Sequence, residues 1–200
     1  MAAGVEIRTH MMRIILGSQS KNRADILQEA GFEFDVLPPN IDEKAIRSSD
    51  AKELPTLLAR AKTDALLPKI SSETLLITSD QVVSFEGQIR EKPETEAEAR
   101  KFLETGHESA NETYTAVEVT NTSTGKRASG LDIARVFFKK IPPAVINDFI
   151  SSGEPFSHAG GFAAESPLLA PYIVGVEGEM DSILGLPMNL TRALIEEVTA

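Results

Sequence analysis

Cysteine and tryptophan are both absent from this 200-residue chain, and two tyrosines are all that accompany its nine phenylalanines. Without cysteine there is no disulfide, thiolate metal site or thiol nucleophile, which fits a reducing compartment, and the cytoplasm is the expectation. No apolar run reaches the roughly 18–20 residues that a membrane helix needs, so no membrane association is expected. Nor is there a basic cluster of five or more residues. Together with a formal net charge of −10, this argues against binding of polymeric nucleic acid. A small phosphate ester is still compatible, because a few cations in one cleft outweigh a global field that salt screens within roughly 8–10 Å. Two phosphate signatures are missing as well: no P-loop follows an apolar run, and no G-x-G-x-x-G occurs.

What is present is ordinary for a globular protein, with 42% apolar and 25% charged residues in a length that suits one domain. Residues 1–12 carry Arg8 and His10 but no apolar stretch, so they read as a short N-terminal extension rather than a secretory signal, with a single domain over 13–200. The most informative segment is Ile14-Ile15-Leu16-Gly17-Ser18-Gln19-Ser20-Lys21-Asn22-Arg23. A short apolar run, read as a buried strand, breaks at glycine into two hydroxyls and two cations, and Ser20 is a good N-cap for a helix over Lys21 to Ala30. An anion is favoured at such a helix N-terminus. Taken alone, the segment is equally an ordinary strand-to-helix turn whose serines only cap.

Further along, Phe34 to Leu37 reads as a strand stopped by two prolines, and Asp50-x-x-Glu53 as a capping box ahead of a helix over Leu54 to Leu67. Lys62 follows Leu58 by four, at the margin of that helix's apolar face. Leu75 to Ser79 is a buried-strand run with Asp80 at its end before Gln81-Val82-Val83 continues it; carboxylates at strand ends of α/β proteins face a ligand crevice, and a cap or turn aspartate is the plain alternative. Thr95-x-x-Glu98 caps another helix, Thr113–Val119 and Arg127–Lys139 suit a hairpin, and Asn189 to Val198 a final helix. Between them lies Ser157-His158-Ala159-Gly160-Gly161-Phe162-Ala163-Ala164-Glu165, a small-residue stretch with no period, which lets backbone approach backbone or ligand.

The order of these pieces resembles the Maf family of nucleoside triphosphate pyrophosphatases. The resemblance rests on Ser18-x-Ser20-x-x-Arg23, Ile41-Asp42-Glu43, Leu58-Ala59-Arg60-Ala61-Lys62, Ser79-Asp80-Gln81-Val82, Glu91-Lys92-Pro93, Gly153-Glu154-Pro155, Ala159-Gly160 and Gly185-Leu186-Pro187, in register from Arg13 to Val198. It implies an α/β fold, a three-layer α/β/α arrangement with a mixed central sheet of the inosine-triphosphatase type, and two lobes around a nucleotide cleft. The implied reaction is attack of water on the α-phosphorus of a nucleoside triphosphate, releasing pyrophosphate. Asp80 matches the family's catalytic carboxylate, Ser18, Arg23, Lys62 and Lys92 its phosphate ligands, and Glu43 with Asp80 a site for Mg²⁺ or Mn²⁺. Gln81 and Glu165 look like the branch preferring 7-methyl-GTP, while Lys21 and Asn22 depart from the family's S-x-S-P-R-R or S-x-S-P-W-R, and the Asn22 position bears on base choice. A homodimer is compatible with the resemblance.

Two other functions compete with this one. A nucleotide-binding regulator of cell division would keep the phosphate ligands and lose the carboxylate, yet Asp80 is present. A phosphomonoesterase with Asp80 as nucleophile would want a D-x-D pair, and Asp80-Gln81-Val82 lacks it.

Overall fold

The computed structural model describes residues 12–71 and 73–200. Of the extension assigned to 1–12, all but Met12 lies outside the described residues.

Strand β1 (Arg13–Gly17) leads into helix α1 (Lys21–Glu29) and a two-residue strand β2 (Asp35–Val36); α2 (Glu53–Leu66), β3 (Thr74–Phe85), β4 (Gln88–Arg90) and α3 (Glu96–Thr105) follow. Then come the hairpin β5 (Asn111–Asn121) and β6 (Arg127–Phe138), α4 (Pro143–Ser152), β7 (Ile173–Glu177), α5 (Met180–Ile183) and α6 (Met188–Thr199). The strands form one mixed sheet in the order β2-β1-β3-β5-β6-β7, with β4 paired to β3 off that path. β1 runs parallel to β2 and β3, and the remaining pairings are antiparallel.

Period-2 alternation along β3 sorts the helices into layers. Leu76 and Val82 pack on α2 through Leu66, Leu54 and Leu58. On the opposite face Leu75 and Ile77 pack with Ile26 and Leu27 of α1 and Leu194, Ile195 and Val198 of α6, and Val83 packs with α3 and α4. The expected three-layer α/β/α architecture is therefore present, with two separate core clusters sharing one face of the sheet.

One expectation needs correcting. Asp80 does not end its strand; it is seventh of the twelve residues of β3. On one edge β5 pairs β3 throughout, from Leu75 to Phe85. On the other edge β1 stops at Gly17 opposite Thr78, and β4 ends at Arg90 opposite Val83. On that second edge residues 79–82 are thus left with no strand beside them, and the crevice opens at this notch.

The capping box is a second correction. Lys52 is the N-cap of α2 and makes no side-chain cap; Asp50 Oδ1 instead accepts from Lys52 N at 2.7 Å, and Glu53 accepts from Ser48 Oγ. The caps at Ser20 and Thr95 form as expected, accepting from Arg23 N and Glu98 N.

Candidate active site

Along the notch runs a cleft of about 1120 Å³. Its floor is β3, one wall is α1 with the turn after β1, and the other walls are the segment 39–47, the loop after β4 and the small-residue stretch 156–165. Every site residue singled out from the sequence reaches this one cleft: Ser18, Asn22 and Arg23 from the first wall, Glu43, Lys62, Asp80 and Gln81 near the floor, and Lys92 and Glu165 opposite.

The deepest group is an ion triad. Lys62 Nζ stands 2.5 Å from Asp80 Oδ1 and 2.9 Å from Glu43 Oε1. Its spacing puts Lys62 at the margin of the apolar face of its helix, yet it is only 5% exposed, because α2 crosses β3 with this side chain facing Asp80. Burial pushes the Asp80 carboxyl above its ordinary range, against the pull of Lys62 and Arg23. For Glu43 the balance reverses: burial would raise it, but Lys62, then Lys92 and Arg23, hold it below the usual carboxylate value. Asp80 Oδ2 and Glu43 Oε2 have no hydrogen-bond partner among the described residues.

Arg23 is spent largely on the fold. Nε donates to the Gly185 carbonyl at 2.9 Å, and Nη1 donates to the Ser79 carbonyl at 2.9 Å and to Ser18 Oγ at 3.3 Å. The Ser79 carbonyl is one of the groups the notch leaves unpaired by a strand. Gly185 has φ +102°, and a Cβ there would sit 3.2 Å from Arg23 Nε, so glycine is needed on both counts. The guanidinium has no carboxylate in contact; burial lowers its pKa while Asp80 and Glu43 act from a distance to raise it. Around it, Ser18 Oγ accepts from Ser20 N at 3.1 Å, and the first turn of α1 contains no acidic side chain.

The far end of the cleft is built differently. Glu165 Oε1 accepts from Asn22 Nδ2 at 2.5 Å and lies 3.4 Å from His158 Nε2. Burial works to raise the Glu165 carboxyl, but His158 and Asn22 bring it down to about 2. Phe156, Phe162, Ile183 and Leu184 supply apolar walls here. The stretch gets this close because Gly160, at φ +70°, sits where a Cβ would be 2.9 Å from the Val83 side chain. Gln81 points to the opposite face of β3 from Asp80, and its Nε2 is committed to Thr115 Oγ1 and to the carbonyls of Ser182 and Ile183. His158 was not singled out from the sequence. No periodicity marks it, and only the contact with Glu165 brings it to the site.

The family model described as Maf-like protein matches residues 13–198. The chain belongs to the Maf-like family. It is 42% identical over 193 residues to a 7-methyl-GTP pyrophosphatase of Dictyostelium discoideum, covering 93% of this chain and 97% of that one. It is 32% identical to a nucleoside triphosphate pyrophosphatase of a Synechococcus strain, covering 92% of this chain and 93% of the relative. Against a dTTP/UTP pyrophosphatase of Vibrio vulnificus the identity is also 32%, over 94% of this chain and 99% of the relative. Among solved structures, a nucleoside-triphosphatase / dITP/XTP pyrophosphatase from Mycobacterium abscessus overlaps 66% of this chain and 75% of its own at 11% identity and a TM-score of 0.36, too remote for anything to rest on it. No helix among the described residues is long and apolar enough to cross a membrane.

Proposed function

We propose that this Maf-like protein is a nucleoside triphosphate pyrophosphatase, converting its substrate to the monophosphate and pyrophosphate. The observation that carries this reading is the buried Lys62 bridging Asp80 and Glu43 beside Arg23 and the helix N-terminus of α1. Three cations, Arg23, Lys62 and Lys92, face two carboxylates, and the buried guanidinium lacks a counter-charge in contact. A polyphosphate supplies it. Ser18, Arg23, Lys62, Lys92 and the free N–H groups of the first turn of α1 bind phosphate oxygens and stabilise the charge that builds up as the α-phosphorus is attacked. Water attacks that phosphorus, its proton passes to the Asp80 carboxylate, and the bond to the β-phosphate oxygen breaks to release pyrophosphate. A carboxyl lifted by burial is a stronger base than an exposed one, which suits Asp80 to the task.

The donor set fits a divalent metal shared with the substrate. No group of three or more potential metal-ligating side chains occurs among the described residues, and Mg²⁺ is commonly held by one or two carboxylates plus substrate phosphates. Asp80 and Glu43, each with an oxygen free of Lys62, would hold Mg²⁺ or Mn²⁺, which when bound would neutralise phosphate charge. Freedom from cysteine suits a cytoplasmic setting.

For the base we infer a guanine-type ring, preferentially methylated at N7. A carboxylate accepts from both N1–H and the exocyclic amine and meets the positive charge that methylation adds, and Glu165 is held ionised for that role. The 7-methyl-GTP pyrophosphatase among the relatives supports the same choice. Incubation with 7-methyl-GTP, GTP, UTP, dTTP, CTP and ATP and Mg²⁺, followed by product identification, tests both levels. Pyrophosphate with the monophosphate is the expected outcome, and it should form fastest from 7-methyl-GTP. Orthophosphate would point to a phosphatase, and no turnover to a binding protein.

A further inference from the structure

The base end of the cleft contains one ionisable ring for which the phosphate chemistry has no use, His158. Its Nδ1 lies 2.9 Å from the Glu154 carbonyl oxygen and 3.0 Å from Ser157 Oγ. A carbonyl oxygen can only accept, so Nδ1 carries a proton. Nε2 then faces Glu165 Oε1 at 3.4 Å. A neutral ring with its proton on Nδ1 would aim the Nε2 lone pair at a carboxylate, whereas the imidazolium donates on both sides. The geometry therefore favours the charged ring, and the histidine's pKa is raised, chiefly by the bond to Glu165, with Glu154 adding to it and burial opposing. The elements packed around this turn bring further charged groups to the cleft, Glu91 and Lys92 from the loop after β4 and Glu98 on α3. Glu165 and Glu154 act most strongly on His158. From α1 the group that reaches Glu165 is the uncharged amide of Asn22.

We propose that His158 sets how strongly the site distinguishes a cationic purine from a neutral one, by switching Glu165 between a compensated and an uncompensated carboxylate. This rests on the reading above in which Glu165 meets the base. With His158 protonated, the pair has no net charge, and the positive ring of a 7-methylated purine meets an imidazolium as well as a carboxylate. With His158 neutral, the carboxylate's charge stands alone and the cationic ring gains an attraction that unmethylated guanine does not. Preference for the methylated base should thus rise with pH through the titration of His158. By reciprocity, a cationic base should lower the pKa of His158 more than a neutral one does.

The test uses 7-methyl-GMP and GMP, whose binding needs no turnover and so is informative even if pyrophosphate release is never observed. Their affinity ratio is measured from pH 5.5 to 8 for wild type and for His158→Gln, which can still donate to Glu165 but carries no charge. N7 methylation also acidifies N1–H, so the ligand itself titrates; that contribution is common to both proteins, and the difference between their profiles isolates His158. The wild-type ratio is expected to rise about three- to tenfold relative to that of the variant across this range. The three histidines, His10, His107 and His158, can also be followed in wild type by NMR. The His158 midpoint should lie about 0.5–1 pH unit lower in the 7-methyl-GMP complex than in the GMP complex. Parallel ratio profiles in the two proteins, or equal His158 midpoints in the two complexes, overturn the proposal. Pyrophosphate release without any preference for the methylated base, at any pH, would overturn it together with the role of Glu165 while leaving the pyrophosphatase reading intact.

Discussion

The two ends of the cleft are made to different standards. At the phosphate end the deepest groups stand on regular elements, Lys62 on α2 and Asp80 on β3, and Arg23 on α1 is tied to backbone carbonyls, while Ser18, Glu43 and Lys92 join them from turns and loops. At the base end Glu165 and His158 stand on irregular backbone, partly exposed, and Glu165 is held mainly by the side chains of His158 and Asn22. A backbone-anchored site tolerates little change, because its partners cannot be exchanged without altering the fold. A site of side chains on a loop can be rewritten one residue at a time. Chemistry common to all triphosphates belongs at the first end and the choice of base at the second.

The largest effect that would break this division is at Asp80. Asp80→Asn should leave the protein folded and able to bind nucleotide while lowering turnover by about 10²–10⁴-fold, equally for all bases. Turnover and thermal melting on one preparation check it; retained activity with lowered stability would make Asp80 a purely structural group. Lys62→Met should be costly in both respects, lowering turnover and destabilising the fold by about 3 kcal/mol, since it leaves Asp80 buried without its direct partner. Chemical denaturation measures the second part. A loss restricted to one nucleobase would contradict the placement of either residue.

At the other end the losses should be selective. Glu165→Gln is expected to cost about ten- to a hundredfold in preference for 7-methyl-GTP over UTP, with pyrophosphate release from UTP kept. A substrate panel on the variant gives the answer, and an unchanged ranking would remove Glu165 from base recognition. The smallest effect belongs to the exposed pairs at the mouth, Lys44–Glu94 and Arg47–Glu91. Arg47→Ala should shift stability by less than about 1 kcal/mol, and by less still at high salt; a larger change would mean that the mouth of the cleft carries the fold.

Legibility in the sequence follows the same division. The turn after β1, the Ser20 and Thr95 caps and the apolar face of α2 depend on neighbours a few residues away, so pattern and chemistry along the chain disclose them. That Asp80 lies within a strand and still faces a crevice is not legible, because the crevice is created by where β1 and β4 stop, and no local signal reports where a neighbouring strand stops. Lys62 looked marginal for the same reason: its burial is decided by a side chain eighteen residues away. At Asp50 the capping pattern was present but Ser48 took Glu53 instead. His158 had no signal at all, since its partner lies on a turn of its own and the clasp from Asn22 to Glu165 spans 143 residues.

The carbonyl of Gly185 receives both Arg23 Nε and Ser79 Oγ, and it lies 162 residues downstream of the arginine it anchors. During synthesis α1 and its arginine emerge early, but the acceptor that fixes the guanidinium emerges only after the whole sheet has been made. The contact therefore closes late, after the long-range strand pairings that bring β3 and the segment 179–188 together. A chain stopped before Gly185 would lack both the acceptor of Arg23 Nε and the α6 residues that close the core over α1, so nucleotide handling and completion of the fold are tied to the same segment.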